Sequence, residues 1–446
     1  MKEQGLNNIS MMNQYPLNSR LRKEYERIKK EMVNERVKST KERVFRDSAQ
    51  YLMHGDKPTK CFFDKYKNKR ETHHIQSLVG QDDIEVFEID EIMNVAENYF
   101  KNLFSGRPVQ QSVVDMFLEG ISPKDCCKNL MDSLLLPISE EEIKDAIFSF
   151  KNGRTPGPDG LSIEFYKAMF SVIKGDLQKI FNAILLDHGR ISAKMKAGLI
   201  KLIPKTPPFN SIGNFRPISL INSDFKIFTK ILSTRLKPIL KELIHETQFA
   251  QPGMNMNNMN TLIRDLVDDM NISDEDSFFV SIDFRKAFDT VSHDFLFKVF
   301  EKYGFPPQFI EVIKELYRDA GSHILINGYK SKKIKLKSGI RQGDPLSRDC
   351  FVLQLNPLLV FLNNQVMIKK YLTLSRKSFL TLAYMDDANF VTQSLSSVLS
   401  AIFYIKKFSK ASGLEMNLSK TSGMFVNKRN LFNVSHLQFT NYNLGR

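Results

Sequence analysis

The sequence predicts an α+β fold in which an antiparallel sheet carries helices on one face. Three observations point to it. Short apolar, β-prone runs end in turns or acidic residues, as in FFVSIDF (278–284) and FLTLAYMDDANFVTQ (379–393). Longer segments between them repeat apolar residues at helical spacing. An Asn327-Gly328 pair sits inside an alternating stretch, where it signals a hairpin.

The elements follow in chain order. Residues 18–47 read as a long basic helix with Leu21, Tyr25, Ile28 and Met32 on a narrow apolar stripe. It is either a solvated helix packed along one edge or a nucleic-acid-facing arm. Residues 51–68 combine turn signals with aromatics, and 85–105 predict an amphipathic helix with Ile89, Ile92, Ala96, Tyr99 and Phe100 on one face. Residues 106–135 are less regular and are expected to connect two units. Ser139 caps the next helix with Glu142 three residues on, and that helix ends near Gly153. The Gly and Pro density of GRTPGPDGLS (153–162) forbids regular structure and predicts a tight ordered loop. A helix is expected over 163–188, and two short strands joined by a Pro-containing loop over 197–222. MNMNNMN (254–260) is a helix start or a surface loop.

After the strand SFFVSIDF, helices are expected near 293–303 and 306–319, then a hairpin over 322–337. The turn SGIRQGDPLS opens a helix over 345–365. Strand, turn and strand follow in 379–393, then a helix over 394–411 and a strand over 417–426. No internal repeat is visible.

Composition narrows the function classes. Lys and Arg outnumber Asp and Glu by 64 to 50, a formal charge of +14, which favours a polyanionic partner. The four cysteines, Cys61, Cys126, Cys127 and Cys350, contain no CxxC pair, so a zinc site is not expected. The N-terminus lacks the apolar stretch of a signal peptide, and no apolar run reaches the roughly 20 residues needed to span a bilayer. The expectation is a soluble intracellular protein with no membrane contact.

The chemistry gathers at aspartates. Asp386 and Asp387 lie between two apolar β-prone runs, and Asp283 closes a third. A turn suits aspartate, so a structural pair is the plain reading. Flanking strands would nevertheless hold the two carboxylates close together and repelling, which a divalent cation relieves. If the Asp283 strand lies beside the hairpin, Asp283 and Asp386 can share metal. Hard oxygen ligands with open positions suit Mg²⁺, and a pair of such ions serves nucleotidyl transfer.

These residues and their neighbours resemble the reverse transcriptases of non-LTR (LINE-type) retrotransposons. FVSIDFRKAFDTVSHDFL, GIRQGDPLS, AYMDDANF and GLEMNLSKT resemble successive polymerase blocks. Upstream, GRTPGPDGLSIEFYK, LIPK and NFRPISLINSDFKIFTKIL resemble the fingers blocks, and HGDKPTKCFFDK resembles the segment before them. The resemblance covers roughly residues 40–430 and implies a right-hand polymerase fold. That fold has helical and β fingers, an antiparallel-sheet palm, and a thumb truncated or absent. The implied division is an N-terminal basic helical extension (1–135), fingers with part of the palm (136–275), palm (276–427) and the start of a truncated thumb or connection (428–446).

The resemblance also implies roles. Asp283 and Asp386 are the direct ligands of two Mg²⁺ ions, with Mn²⁺ as an alternative; Asp387 supports them, and the Phe284 carbonyl adds a contact. Phe288, five residues after Asp283, is the gate that selects deoxynucleotides. Lys205 and Arg216 grip the triphosphate. Arg341, Gln342, Gly343 and Tyr384 contact substrate, with Gly343 letting backbone approach the nucleotide. Lys420 is the proton donor to departing pyrophosphate. Expected partners are an RNA template, a DNA primer or target and dNTPs, in the nucleus or cytoplasm. The sequence departs from the family at Met385, at Arg348 and at Met254. No endonuclease fits in the first 40 residues, and no Cys/His knuckle follows the polymerase blocks, so a fragment or degraded copy of a longer reading frame is expected. The alternatives are a catalytically weak or inactive, maturase-like nucleic-acid-binding protein, and an RNA-copying RNA polymerase, against which Phe288 speaks.

Overall fold

The computed structural model describes residues 74–80, 82–187, 189–273 and 275–426, together with the strand 435–438. The chain divides into two units, Met1–His73 and His74–Arg446, and the description below concerns the second. The helix expected over 18–47 and the segment 51–68 lie outside the described residues, as does most of 428–446.

The strands, in chain order, are β1 (Leu78–Val79), β2 (Glu85–Val86), β3 (Ala197–Pro204), β4 (Phe215–Ile221), β5 (Ser277–Ile282), β6 (Phe284–Arg285), β7 (Gly321–Ile326), β8 (Tyr329–Lys330), β9 (Ile334–Lys335), β10 (Tyr371–Leu372), β11 (Ser378–Phe379), β12 (Thr381–Tyr384), β13 (Asp387–Thr392), β14 (Glu415–Met416), β15 (Ser422–Val426) and β16 (Ser435–Gln438).

Local chemistry sets most boundaries. The Ser139 hydroxyl accepts from the Glu142 amide at 3.2 Å, and the Glu142 carboxylate accepts from the Ser139 amide at 3.1 Å. This capping box starts the helix Glu140–Ser149, whose first turn is wholly acidic and complements the helix dipole. Asn327 and Gly328 both take left-handed backbone, with φ of 52° and 92°, as a two-residue hairpin turn requires. The loop over 153–162 is irregular as expected. Its Gly157 lies so close to Asn222 that a Cβ would fall 2.4 Å from the Asn222 amide nitrogen.

Residues 106–135 depart from expectation. They form helices at Gln111–Leu118 and Lys128–Ser133. Val113, Val114, Phe117 and Leu118 make a buried stripe, and the Phe117 ring lies 4.6 Å from Phe361 and 4.9 Å from Phe408. Eight residues are too few for the periodicity to stand out in sequence. Residues 74–135 fall within the second unit. The strand expected over 417–426 begins only at Ser422, because the Asn417 carbonyl closes a turn by accepting from Lys420 and Thr421.

One five-stranded sheet runs β12-β13-β5-β15-β16, antiparallel throughout. On one face Phe278, Val280, Ile282, Ala388 and Phe390 enter the main core with the helices His293–Lys302, Ser347–Asn364 and Leu395–Ser412. The other face is not bare, as a sheet with helices on one side would be. Its outer end, with Phe279, Leu382, Val391 and Met424, packs under Met259, Leu266 and Met270 of the helix Met256–Ile272. The inner end of that face carries Asp387 and the residue after β5, Asp283.

A second sheet runs β4-β3-β7-β8, with β9 also on β7. Its β3–β7 pair is parallel, an exception to the antiparallel expectation. Ile200, Leu202, Phe215, Ile324 and Ile326 pack there against Ile92, Ala96 and Phe100 of the helix Ile89–Leu103. A buried ion pair fastens this sheet to the main core. Lys196 Nζ lies 2.9 Å from Glu315 Oε1 and also donates to the Arg318 carbonyl at 2.8 Å.

A buried carboxyl group lies in the short helix Ala287–Thr290 that follows β6. Asp289 is 4% exposed, and one of its carboxylate oxygens has no hydrogen-bond partner among the described residues. Burial raises its pKa to about 7 against the pull of Lys286. The folded state therefore holds a proton that the unfolded chain releases near pH 4, so stability falls as pH rises from about 4 to 7.

Two outcomes follow. Asp289→Asn should melt higher than the parent by a margin that widens between pH 5 and pH 7, measured by thermal denaturation; a pH-independent difference would contradict the buried, protonated carboxyl. Phe408→Ala, which removes a ring packed on Phe117 and Phe295, should lose roughly 3–5 kcal/mol in urea unfolding.

Candidate active site

The sheet register builds the site. Ala388 pairs with Ile282, so the next step along the ladder brings Asp387 opposite Asp283. On its other side, Met416 pairs with Phe284, which brings Asn417 opposite Asp283. Two hydrogen bonds join these residues: the Asn417 amide donates to the Asp283 carbonyl at 2.7 Å, and its side-chain amide donates to Asp283 Oδ2 at 2.9 Å. Asp283 is therefore half-buried, oriented by Asn417 from one side and facing Asp387 on the other. Antiparallel alternation turns the Phe284 carbonyl away from β14.

Asp386 sits in the two-residue turn between β12 and β13. The preceding Met385 has φ of 57°, a left-handed conformation that a non-glycine residue adopts at a cost. The three carboxylates feel one another. The Asp387 pKa is raised, first by partial withdrawal from water and then by the charges of Asp386 and Asp283; Lys205 pulls the other way. The expectation that β5 lies beside the hairpin is thus met, and Lys205 is close enough to act on the same group.

A metal's fit rests on this donor set. Three repelling carboxylate oxygens at an open sheet edge suit a hard divalent cation. Among the described residues, however, no three His, Cys, Asp or Glu side chains already converge on one ion position.

The basic residues come from the second sheet. Ile203 pairs with Arg216, and Lys201, Lys205 and Arg216 are all exposed. Period-two alternation sets Lys201, Lys205 and Arg216 on one face. Lys201 was missed, although the alternation in LIKLIPK contains it. Lys286, also missed, reaches from the end of β6 to the Gly213 and Phe215 carbonyls at 3.1 and 3.4 Å, and lies over the Tyr99 ring. It ties the carboxylate strand to the base of the basic strand. Asn417 was quoted within a block but carried no pattern of its own, because its partner is 134 residues away.

Phe288 is half-buried and stacked on Phe351, with ring centroids 4.9 Å apart and planes within 14°. Its carbonyl accepts from Ile340 at 2.7 Å, which fastens it to the turn carrying Gln342. The Gln342 carbonyl in turn accepts from the Ser219 amide of β4 at 2.9 Å. Tyr384 ends β12 opposite Asp387. Lys420 is exposed, three residues beyond Asn417.

One expectation is corrected, and a second residue shows a structural role of its own. Arg341 does not reach a substrate cleft: it is 4% exposed, donates to the Lys196 carbonyl at 2.7 Å and stacks over Phe225. It braces the start of β3 from inside. Gly343 is glycine because of β4: its φ is 116°, and a Cβ would meet the Ser219 carbonyl at 2.9 Å. The close approach is to the neighbouring strand.

The family model described as reverse transcriptase (RNA-dependent DNA polymerase) matches residues 203–443, a span that holds β4 and every aspartate above. The chain is 28% identical over 402 residues to the Transposon TX1 uncharacterized 149 kDa protein of Xenopus laevis, covering 90% of this chain and 30% of that protein. It is 26% identical over 292 residues to the Retrovirus-related Pol polyprotein from type-1 retrotransposable element R2 of Popillia japonica, covering 65% and 40%. It is also 26% identical over 304 residues to the RNA-directed DNA polymerase from mobile element jockey of Drosophila melanogaster, covering 64% and 32%. The chain therefore spans about a third of the length of these relatives. Among the described residues no helix is long and apolar enough to cross a membrane. With the ordered motifs, the register that joins Asp283 to Asp387, and a family model matching more than half of its length, the chain belongs to the reverse transcriptase family, among the polymerases of non-LTR retrotransposons.

Proposed function

We propose that this chain is an RNA-directed DNA polymerase that extends a DNA 3′ end on an RNA template. The observation that carries the reading is the ladder that sets Asp283 between Asp387 and Asn417, with the Lys205 charge acting on Asp387. In the reaction a primer 3′-oxygen forms a bond to the α-phosphorus of a dNTP. The bond from that phosphorus to pyrophosphate breaks, and the 3′-hydroxyl proton leaves. Two Mg²⁺ ions, or Mn²⁺, would lower the barrier by activating the attacking oxygen and offsetting charge on the leaving one.

The chain's own residues orient the reactants. Asp283 and Asp386 are the proposed direct ligands, Asp387 supports them, and the Phe284 carbonyl is a further donor. Asn417 fixes the Asp283 carboxylate. Lys205 and Arg216, with Lys201 on the same face, would hold the triphosphate: the arginine as a fork, the lysines as point charges. Gln342 and Tyr384 are proposed to border the nucleotide, and Lys420 to protonate pyrophosphate. Phe288 is proposed as the sugar gate; its stacking on Phe351 would keep the ring from yielding to a 2′-hydroxyl. In hand terms β3 and β4 belong to the fingers, and the sheet around β5 to the palm. The template RNA and primer DNA would lie across the open end of the palm sheet, and the basic excess would hold their phosphates.

The test is incorporation of dTTP on poly(rA)/oligo(dT) with Mg²⁺, beside the double variant Asp386→Ala, Asp387→Ala. Activity in the parent and loss of at least about 10³-fold in the variant are expected. Equal incorporation would sink the assignment, and none in the parent would leave a nucleic-acid-binding protein. Phe288→Ala should raise the use of ribonucleotides relative to deoxynucleotides by about tenfold or more in competition; unchanged sugar selectivity would refute the gate.

A further inference from the structure

The segment that precedes the helix Met256–Ile272 is fastened to the edge of the carboxylate sheet. Gln248 makes a parallel bridge with Ala383 of β12. The Ala383 amide donates to the Thr247 carbonyl at 2.8 Å, and the Phe249 amide donates to the Ala383 carbonyl at 2.7 Å. Thr247 and Thr381 share a buried hydroxyl contact at 2.8 Å. Together these bonds add a short extra strand beside the hairpin.

Gln248 lies at the centre of this contact and is completely buried. Its carbonyl oxygen accepts two backbone amides: Ala250 at 3.0 Å and Met385 at 3.3 Å. Met385 is the residue held at φ of 57°, immediately before Asp386. The side-chain nitrogen of Gln248 is buried with no hydrogen-bond partner among the described residues. A buried amide with an unused donor is unfavourable, and an apolar side chain of similar size would avoid the penalty. What an apolar side chain could not supply is the acceptor for the Met385 amide.

The segment also reaches the nucleotide-side turn. Arg348, just beyond GDPLS, donates to the Ala250 carbonyl at 2.7 Å. The turn after β12 and the helix that follows Gln342 are thus both tied to residues 248–250.

We infer that Gln248 is a positioning residue for the reaction proposed above: it holds the Met385 backbone left-handed and so fixes the direction in which Asp386 presents its carboxylate. It touches neither substrate nor metal. Its effect passes through one backbone hydrogen bond, and its burial keeps water from competing for that bond.

The test compares the full chain with Gln248→Met, which matches the volume and removes both amide groups, and with Gln248→Glu, which keeps an acceptor oxygen in place. Three quantities are read: melting temperature, Mn²⁺ binding by electron paramagnetic resonance with dTTP present, and dTTP incorporation kinetics. Gln248→Met leaves the Ala250 and Met385 amides without their acceptor and should melt below the parent, bind Mn²⁺ about tenfold more weakly, and lose about tenfold or more in kcat with little change in KM for dTTP. Gln248→Glu should recover most of the Mn²⁺ affinity. Unchanged Mn²⁺ affinity in Gln248→Met, a Gln248→Glu variant no better than it, or a parent chain that fails to bind Mn²⁺ would each overturn the inference. If Gln248→Met does not fold, Gln248→Glu decides alone, and a folded variant without Mn²⁺ affinity overturns it. A parent chain that binds Mn²⁺ but incorporates nothing would sink the polymerase reading while leaving the binding comparison valid.

Discussion

The central constraint is the pairing register of β5. This strand has a ladder on each side, to β13 and to β15, and its continuation β6 pairs with β14. Side chains alternate across a strand, so a slip of one residue would carry Phe278, Val280 and Ile282 out of the core and move Asp283 to the wrong face. Burial of those three apolar residues therefore does two things at once. It stabilises the sheet, and it fixes where a carboxylate emerges between Asp387 and Asn417.

Holding like charges together opposes that register, and the structure shows how the opposition is managed. Asp283 receives two hydrogen bonds from Asn417, one to its carbonyl and one to its carboxylate. Asp387 stays nearer solvent, with its proton affinity raised and Lys205 opposite. The strained turn at Met385 is pinned from behind by a buried glutamine. None of these groups adds much net stability, because each hydrogen bond replaces one to water. Their effect is to narrow the directions that the carboxylates can take.

The second sheet is joined to the rest of its unit through a small set of contacts. Lys286 reaches to the base of β4, Gly343 packs on Ser219, Arg341 braces the start of β3, and Lys196 pairs with Glu315. Two of the four, Arg341 and the Lys196–Glu315 pair, involve buried charges, which are tolerated only when paired or hydrogen-bonded. They hold the basic strand at a set distance from the carboxylates, and an apolar interface would define that distance less sharply.

Much of this was legible in the sequence. The capping box at Ser139, the Asn327-Gly328 turn and the apolar run of β5 carry their signals within a few residues, so the elements and the three aspartates could be read directly. Two short helices in 106–135 could not be read, because eight or fewer residues give too little periodicity. Lys201 was readable from alternation and was passed over. Asn417 and Gln248 gave no local sign, since each acts on a partner more than 130 residues away. Arg341 and Gly343 lie within a block where motif matching suggested substrate contact. Tertiary packing reassigned the arginine, whose hydrogen bonds go to interior carbonyls, and showed that the glycine's missing Cβ also makes room for β4. By itself the sequence determined which residues carry charge, which runs become strands and which family the chain resembles, because those properties are local or ordered along the chain. The tertiary structure decided which groups face one another and which are buried, because strand register and burial depend on residues far apart in the chain.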